Sequence, residues 1–542
     1  MLEDREHLLP AGPVHPARSA RPRRGDRADL CRLPGRRCGR RARRLLAHGR
    51  EQCPRPRRLR PDRPQVALHP LQPGAVMRHW LFAAGLFLSA CGGMPEAEVA
   101  MERPHWLVID PLPQMKVFSD SAATRSQRPN AEIARDFLEL TFQMESGRRL
   151  ERFSRFEGPI TVSMTGPVPA TAEADLARLL ARLRHEARID IHETEGPAAV
   201  SIEFVERRRM QALVPTAACF VVPRVTSFET YRRVRREAQV DWATLQEREQ
   251  VAIFIPADTS PQEVRDCLHE ELAQAIGPLN DLYRLSDSVF NDDNFHTVLT
   301  GFDMLILRAT YAPELRSGMT RAEVAAVLPK LLARINPKGG RATAPAPEDP
   351  TPRPWIEAIE EALGPTGSDR RRHAAAVRAL SIARAEGWQD ARMGFSLFGF
   401  GRLGVADEMD LSVAAFIEAV RIYLTLPGGE IHTAHIDMQM AALALSSGQA
   451  PEAILLCNRA IPVASRAENA ALLATLLMIR SEALRLSGHA AEARASRLDS
   501  LAWARYGFGD EAEVRSRMSE IAALTPSRPS LALAMTDNGD SG

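Results

Sequence analysis

The residues best able to do chemistry lie together in Cys267-Leu268-His269-Glu270-Glu271-Leu272-Ala273-Gln274-Ala275-Ile276-Gly277-Pro278-Leu279-Asn280-Asp281. At helical spacing Leu268, Leu272, Ala275 and Ile276 form one apolar stripe, while Glu270, Gln274 and Gly277 share the other face. Gly277-Pro278 stops the helix. A polar pair at i and i+4 lies on one face of the helix, and a third polar group follows the sharp stop. Glu270 and Gln274 make the pair, Glu271 stands beside Glu270, and Asn280 and Asp281 follow the stop. Zinc is held by His, Cys and carboxylates, and a catalytic site needs three such ligands plus an open position. Gln274 and Asn280 offer only neutral amides, which are poor ligands, so no zinc or other cofactor is expected here.

This layout resembles the metzincin zinc site, His-Glu-x-x-His-x-x-Gly-x-x-His or Asp. Glu270 and Gln274 fall on the first two ligand positions, Glu271 on the general base, Gly277 on the Gly and Asn280 on the third ligand. Reading from His269-Glu270 instead puts Ala273 where the second His should stand, so neither register completes the set. The likeness continues in Ser288-Val289-Phe290-Asn291-Asp292, with Phe290 at the Met of a Ser-x-Met turn. It ends in a helix from Leu299-Thr300-Gly301-Phe302-Asp303 to Tyr311, begun by a capping-box pair, Thr300 and Asp303. Together these look like an uncharacterised family of exported bacterial proteins with a degenerate metzincin-like domain, over roughly Ala131 to Leu332. The resemblance implies a pseudo-enzyme that binds something in the old cleft. The alternative is a metal-dependent peptidase or cell-wall hydrolase with a nonstandard set such as Glu270, Asp281 and His269 or His296.

The elements that must position this segment follow from periodicity. Residues 160–164, 199–205 and 250–255 read as strands and 176–185 as a helix, so 130–336 is expected to be an α+β, zincin-like domain. Residues 337–354 hold six Pro and a Gly pair, which predicts a semi-rigid linker. From Trp355 to 526 the chain is rich in Ala, Leu, Glu and Arg at helical period, with no plausible strand, which predicts an all-α domain. Gly448-Gln449-Ala450-Pro451-Glu452-Ala453 and Gly488-His489-Ala490-Ala491-Glu492-Ala493 repeat 40 residues apart, with the small residues Ala441, Ser481 and Ala460 at matching offsets and a weaker echo at Gly387 and Ala391. These spacings resemble tetratricopeptide hairpins, elongated beyond the usual 34 residues. Such arrays bind peptides or proteins along a concave face.

The N-terminal part reads differently. Residues 1–76 hold 19 Arg, no Lys and 7 acids, without helical or strand period. They are expected to be a disordered Arg/Pro-rich extension, upstream sequence read through ahead of the true start at Met77. Met77-Arg78-His79 is a short positive region, Trp80 to Phe87 an apolar stretch too short to span a bilayer, and Leu88-Ser89-Ala90-Cys91 resembles a bacterial lipobox. Lipidation at Cys91 is therefore expected, with 92–129 as tether. Gly92 favours the outer over the inner membrane of the envelope, on the periplasmic face. After Cys91 the net charge is about −11, which excludes nucleic acid as a partner. Protein or peptide partners, and the membrane through the lipid, are expected instead. An oxidising compartment permits a disulfide, and Cys219 with Cys267 is the expected pair because Cys457 lies in the other domain. Residues 527–542 are expected to be a disordered tail.

Overall fold

The computed structural model describes residues 111–119, 125–126, 128–215, 217–340, 349–364 and 366–526. The expectations for 1–76, for the leader with Cys91 and for 527–542 lie outside the described residues.

The first region mixes helices and strands: α1 (Asn130–Thr141), β1 (Ile160–Thr165), α2 (Ala172–Arg182), β2 (Ile191–Glu193), β3 (Val200–Val205), α3 (Arg207–Gln211), β4 (Phe220–Pro223), α4 (Phe228–Val234), β5 (Val251–Pro256), α5 (Pro261–Ile276), α6 (Gly301–Thr310) and α7 (Arg321–Ile335). The five strands form one sheet in the order β2-β1-β3-β5-β4. All pairings are parallel except β4 with β5, which closes one edge antiparallel. A parallel sheet must be covered on both faces, and β5 obeys. Its Val251, Ile253 and Ile255 enter the main core with α5, whereas Ala252 and Phe254 enter a smaller core with Phe220, Phe228 and Tyr231.

Helix α5 starts where its sequence says it should. Ser260 caps it by accepting the Glu263 N–H at 3.1 Å, and Pro261 follows at the first helical position, where no donor is needed. The expected stripe Leu268, Leu272, Ala275 and Ile276 is fully buried in the main core. The opposite face is not free: Gln274 is only 2% exposed. Cys219, just before β4, is disulfide-bonded to Cys267 on α5 across a separation of 48 residues. Closing a loop of that length stabilises by about 4 kcal/mol through the unfolded chain.

The second region is all-helical among the described residues: α8 (Arg353–Leu363), α9 (Asp369–Ala385), α10 (Ala391–Gly404), α11 (Met409–Tyr423), α12 (Glu430–Ser446), α13 (Ala450–Arg466), α14 (Ala470–Leu486), α15 (Ala490–Gly507) and α16 (Glu511–Ala523). From α12 to α15 the starts fall every 20 residues, at 430, 450, 470 and 490. Each turn closes alike. Gly448, Glu468 and Gly488 adopt φ of +72°, +55° and +81°. The next residue then bonds five residues back, Gln449 to Ala444, Asn469 to Ala464 and His489 to Leu484. The 40-residue period visible in the glycines is thus two 20-residue steps, hidden because the middle turn uses Glu468 in a conformation that glycine takes more readily.

The two regions do not hang on a free linker. Tyr283 and Phe295, from the loops after α5, are buried in the helical core, where Tyr283 meets Trp355 edge-on at 5.0 Å. Polar pairs cross the same boundary: His432 donates to Asp293 at 2.8 Å, Tyr506 to Asp175 at 2.9 Å, and Arg265 pairs with Glu468. Residues 111–119, expected within a tether, instead lie along α15. There Phe118 stacks on Trp503 at 4.5 Å and the Lys116 N–H reaches the Ala502 carbonyl at 3.0 Å. The physical reason is apolar: Phe118 gains a buried aromatic slot that a solvated tether would leave empty. No helix among the described residues is long and apolar enough to cross a membrane.

Candidate functional site

The C-terminal end of α5 is held by side chains from elsewhere. Arg248 donates to the carbonyls of Gln274 and Ala275, both at 2.8 Å, and of Gly277 at 2.6 Å. The Tyr311 hydroxyl donates to Ile276 at 2.8 Å. A helix leaves its last four carbonyls unbonded, and a cation there also meets the negative end of the helix dipole. Burial pushes the Arg248 guanidinium down to about 10. Gly277 is required by close approach, since a Cβ there would stand 2.6 Å from Leu307 Cδ2 and 2.9 Å from the Ala273 carbonyl oxygen.

The five candidate residues then separate. Gln274 Nε2 faces Glu145 at 3.5 Å, and Asn280 Nδ2 donates to the Glu139 carbonyl at 3.1 Å. Both amides are spent on the protein. Asp281 is half-buried after the stop. Only Glu270 and Glu271 line the cavity described below. His269 is buried, and its Nδ1 accepts the Leu299 N–H at 3.2 Å. Burial, with Arg265 and Arg182 nearby, holds its pKa well below the usual histidine range.

The turn after α5 is built as tightly. Asp303 accepts from Ser288 Oγ at 2.5 Å, the Val289 N–H at 3.2 Å and the Thr300 N–H at 2.7 Å. The capping box of Thr300 and Asp303 is present at the start of α6, so one carboxylate both begins a helix and clamps the preceding turn. Phe290 is fully buried in the main core. Burial raises the Asp303 carboxyl to about 6 against these bonds.

Beside α5 lies a cavity of about 240 Å³, bounded by α5, the 293–297 loop and α10, α12 and α14 of the helical region. Gln262, Asp266 and Glu270 line it from α5, four residues apart and so on one face. Burial raises the Asp266 carboxyl to about 7 although Gln262 donates to it at 2.6 Å. Phe295, Phe395, Phe398, Leu363 and Met438 supply apolar wall, and Arg402 and His435 line the helical side. Gln262 and Asp266 were missed in the sequence, although their four-residue spacing to Glu270 is a signal that could have found them. Arg402 and His435 were not legible there, since each is one of several polar residues on its helix and nothing local marks which of them faces the cavity. Among the described residues no three His, Cys, Asp or Glu side chains group so as to hold a metal ion.

Residues 130–330 match a family model described as "Protein of unknown function (DUF2927)". That match covers the α/β region with α5 and the clamped turn. Neither the curated proteins nor the solved structures give a match.

Proposed function

We propose that the chain is a non-catalytic, lipid-anchored protein of the periplasmic face of the cell envelope, tethered through Cys91, which binds protein or peptide partners. Its α/β region is a degenerate metzincin-like domain and its helical region an array of elongated tetratricopeptide-like hairpins. Glycine at 277 under Leu307, the buried Phe290 turn and the Thr300 and Asp303 capping box support the first identity. The 20-residue helix period, with Ala441, Ala453 and Ala460 fully buried at the helix contacts, supports the second.

The observation that carries the non-catalytic reading is the engagement of Gln274 and Asn280. These amides stand at two of the three ligand positions, and both turn to protein partners, Glu145 and the Glu139 carbonyl. A hydrolase using Glu270, Asp281 and His269 or His296 has the histidines against it. His269 Nδ1 already accepts from Leu299, and His296 Nε2 lies 3.0 Å from the Ser286 carbonyl and 3.2 Å from that of Gly428. Metal content tests the reading. Chain purified without chelators or added metal is expected to hold far less than one zinc per molecule and to leave a library of peptides uncut. Stoichiometric zinc together with cleavage would overturn it. Fractionation tests the anchor: Cys91→Ala is expected to leave the membrane fraction.

A further inference from the structure

The cavity beside α5 carries a charge with no counter-ion. Arg402 sits in the last turn of α10 and lines the cavity. Among the described residues no carboxylate and no hydrogen-bond acceptor meets its guanidinium. The cation nearest in effect is Arg372, which adds repulsion, and burial pushes Arg402 down to about 10. A desolvated guanidinium beside a second cation is costly unless an anion is supplied. Its neighbour His435 also lines the cavity, and its Nε2 is buried with no hydrogen-bond partner among the described residues. Burial and the nearby His432, Arg402 and His296 hold His435 well below the usual histidine range, so it is neutral and has one N–H to donate.

The rest of the lining narrows the anion. Phe295, Phe395, Phe398, Leu363 and Met438 offer an apolar wall, on which the Phe295 ring meets His435 at 4.8 Å. Asp266, Glu270 and Glu271 lie on the α5 side of the same cavity, and they repel a dianion such as a phosphate monoester more than a single carboxylate. At about 240 Å³ the space is below that of drug-sized ligand pockets, which suits one or two amino-acid residues.

We propose that this cavity binds a carboxylate carried on a small apolar body, with the carboxylate on the guanidinium of Arg402 and the Nε2–H of His435 and the apolar body against Phe295, Phe395, Phe398 and Met438. Arg is suited to the task because its planar fork meets both carboxylate oxygens. The carboxylate is that of a peptide C-terminus or of a free small acid. This inference rests on the non-catalytic, ligand-binding reading above.

Calorimetry on the purified full-length chain decides it, with three probes: N-acetyl-leucyl-phenylalanine, the same peptide as its C-terminal amide, and 3-phenylpropanoate. The free acid is expected to bind at least tenfold more tightly than the amide. Arg402→Gln is expected to bring the acid down to the level of the amide, and Arg402→Lys to retain part of the difference. Tighter binding of the peptide acid than of phenylpropanoate assigns a chain terminus, and equal binding assigns a free acid. Equal binding of acid and amide, or no binding of either, overturns the proposal. The acid-to-amide comparison uses the unaltered chain, so it decides even if Arg402→Gln does not fold. Chromatography of the same samples keeps two failures apart. Cleavage of the peptide would overturn the non-catalytic reading, whereas absence of both cleavage and binding would remove only this cavity's ligand.

Discussion

Arg248 donates to the backbone carbonyl of Gln274 at 2.8 Å, so the end of α5 is fixed through its main chain by a guanidinium 26 positions earlier. The same guanidinium also takes the carbonyls of Ala275 and Gly277, and it stacks over Trp242 at 5.2 Å. Arg248→Met would leave three buried carbonyls without a donor. A loss on the order of 3 kcal/mol is expected, since each unsatisfied buried group costs about 1–3 kcal/mol and the three are not independent. Urea unfolding monitored by circular dichroism measures it. An unchanged midpoint would mean that the end of α5 does not depend on this cap.

Gly277 makes a second, independent test of the same helix end. Gly277→Ala places a methyl group 2.6 Å from Leu307 Cδ2, an overlap expected to cost about 1–3 kcal/mol. Leu307→Ala in the same chain removes the clash, so the double variant should lose less than the sum of the singles. Strict additivity in a double-mutant cycle would place the cost in the backbone rather than in Leu307.

Asp266 predicts how stability varies with pH. Burial raises its carboxyl from 3.8 to about 7 in the fold. The folded state therefore keeps a proton that the unfolded chain releases near pH 4. Its contribution to stability is fully present below about 3.8 and is lost as pH rises through about 7. Asp266→Asn removes this dependence. The melting temperature of the variant relative to the parent should rise between pH 4 and pH 8, as read by scanning calorimetry. A difference that stays flat over that range counts against the buried, protonated carboxyl.

The boundary between the two regions predicts cooperativity. Because Asp293 accepts from His432 at 2.8 Å with both side chains almost fully buried, Asp293→Ala strands an imidazole and should cost about 2 kcal/mol. The parent is expected to unfold across both regions in one calorimetric transition. Two well-separated transitions in the parent would show that the shared core around Tyr283, Phe295 and Trp355 does not couple them.

The buried thiol of Cys457, the one free thiol among the described residues, gives a chemical check. Burial raises Cys457 to about 12, so little thiolate exists at pH 8. Mass spectrometry after iodoacetamide treatment should find the Cys457 peptide unmodified in native protein and alkylated in urea. Native labelling would place the thiol at an accessible surface.

Much of the local structure was legible because it follows from short-range rules. Gly277-Pro278 ended α5, Thr300 and Asp303 formed the capping box of α6, and Leu268, Leu272, Ala275 and Ile276 faced the core. Strands β1, β3 and β5 showed in runs of β-branched and aromatic residues. Strand β2, three residues long, and the four-residue edge β4 did not, because so few residues carry no period. The repeat appeared at 40 residues rather than 20 because Glu468 replaces the glycine that marks the other turns.

What the sequence by itself determined is the longer strands, the ends of α5, the start of α6, the all-helical character of the second region and the neutral amides at Gln274 and Asn280, because capping, periodicity and side-chain type act within a few residues. Only the tertiary structure decided which side chains meet. It turned Gln274 and Asn280 toward Glu145 and Glu139, spent His269 on the Leu299 N–H, and gathered Asp266, Phe295, Arg402 and His435 around one cavity from segments as far as 169 positions apart. No local pattern encodes such a meeting, because the packing of one buried face against another fixes it, and that packing depends on both cores at once.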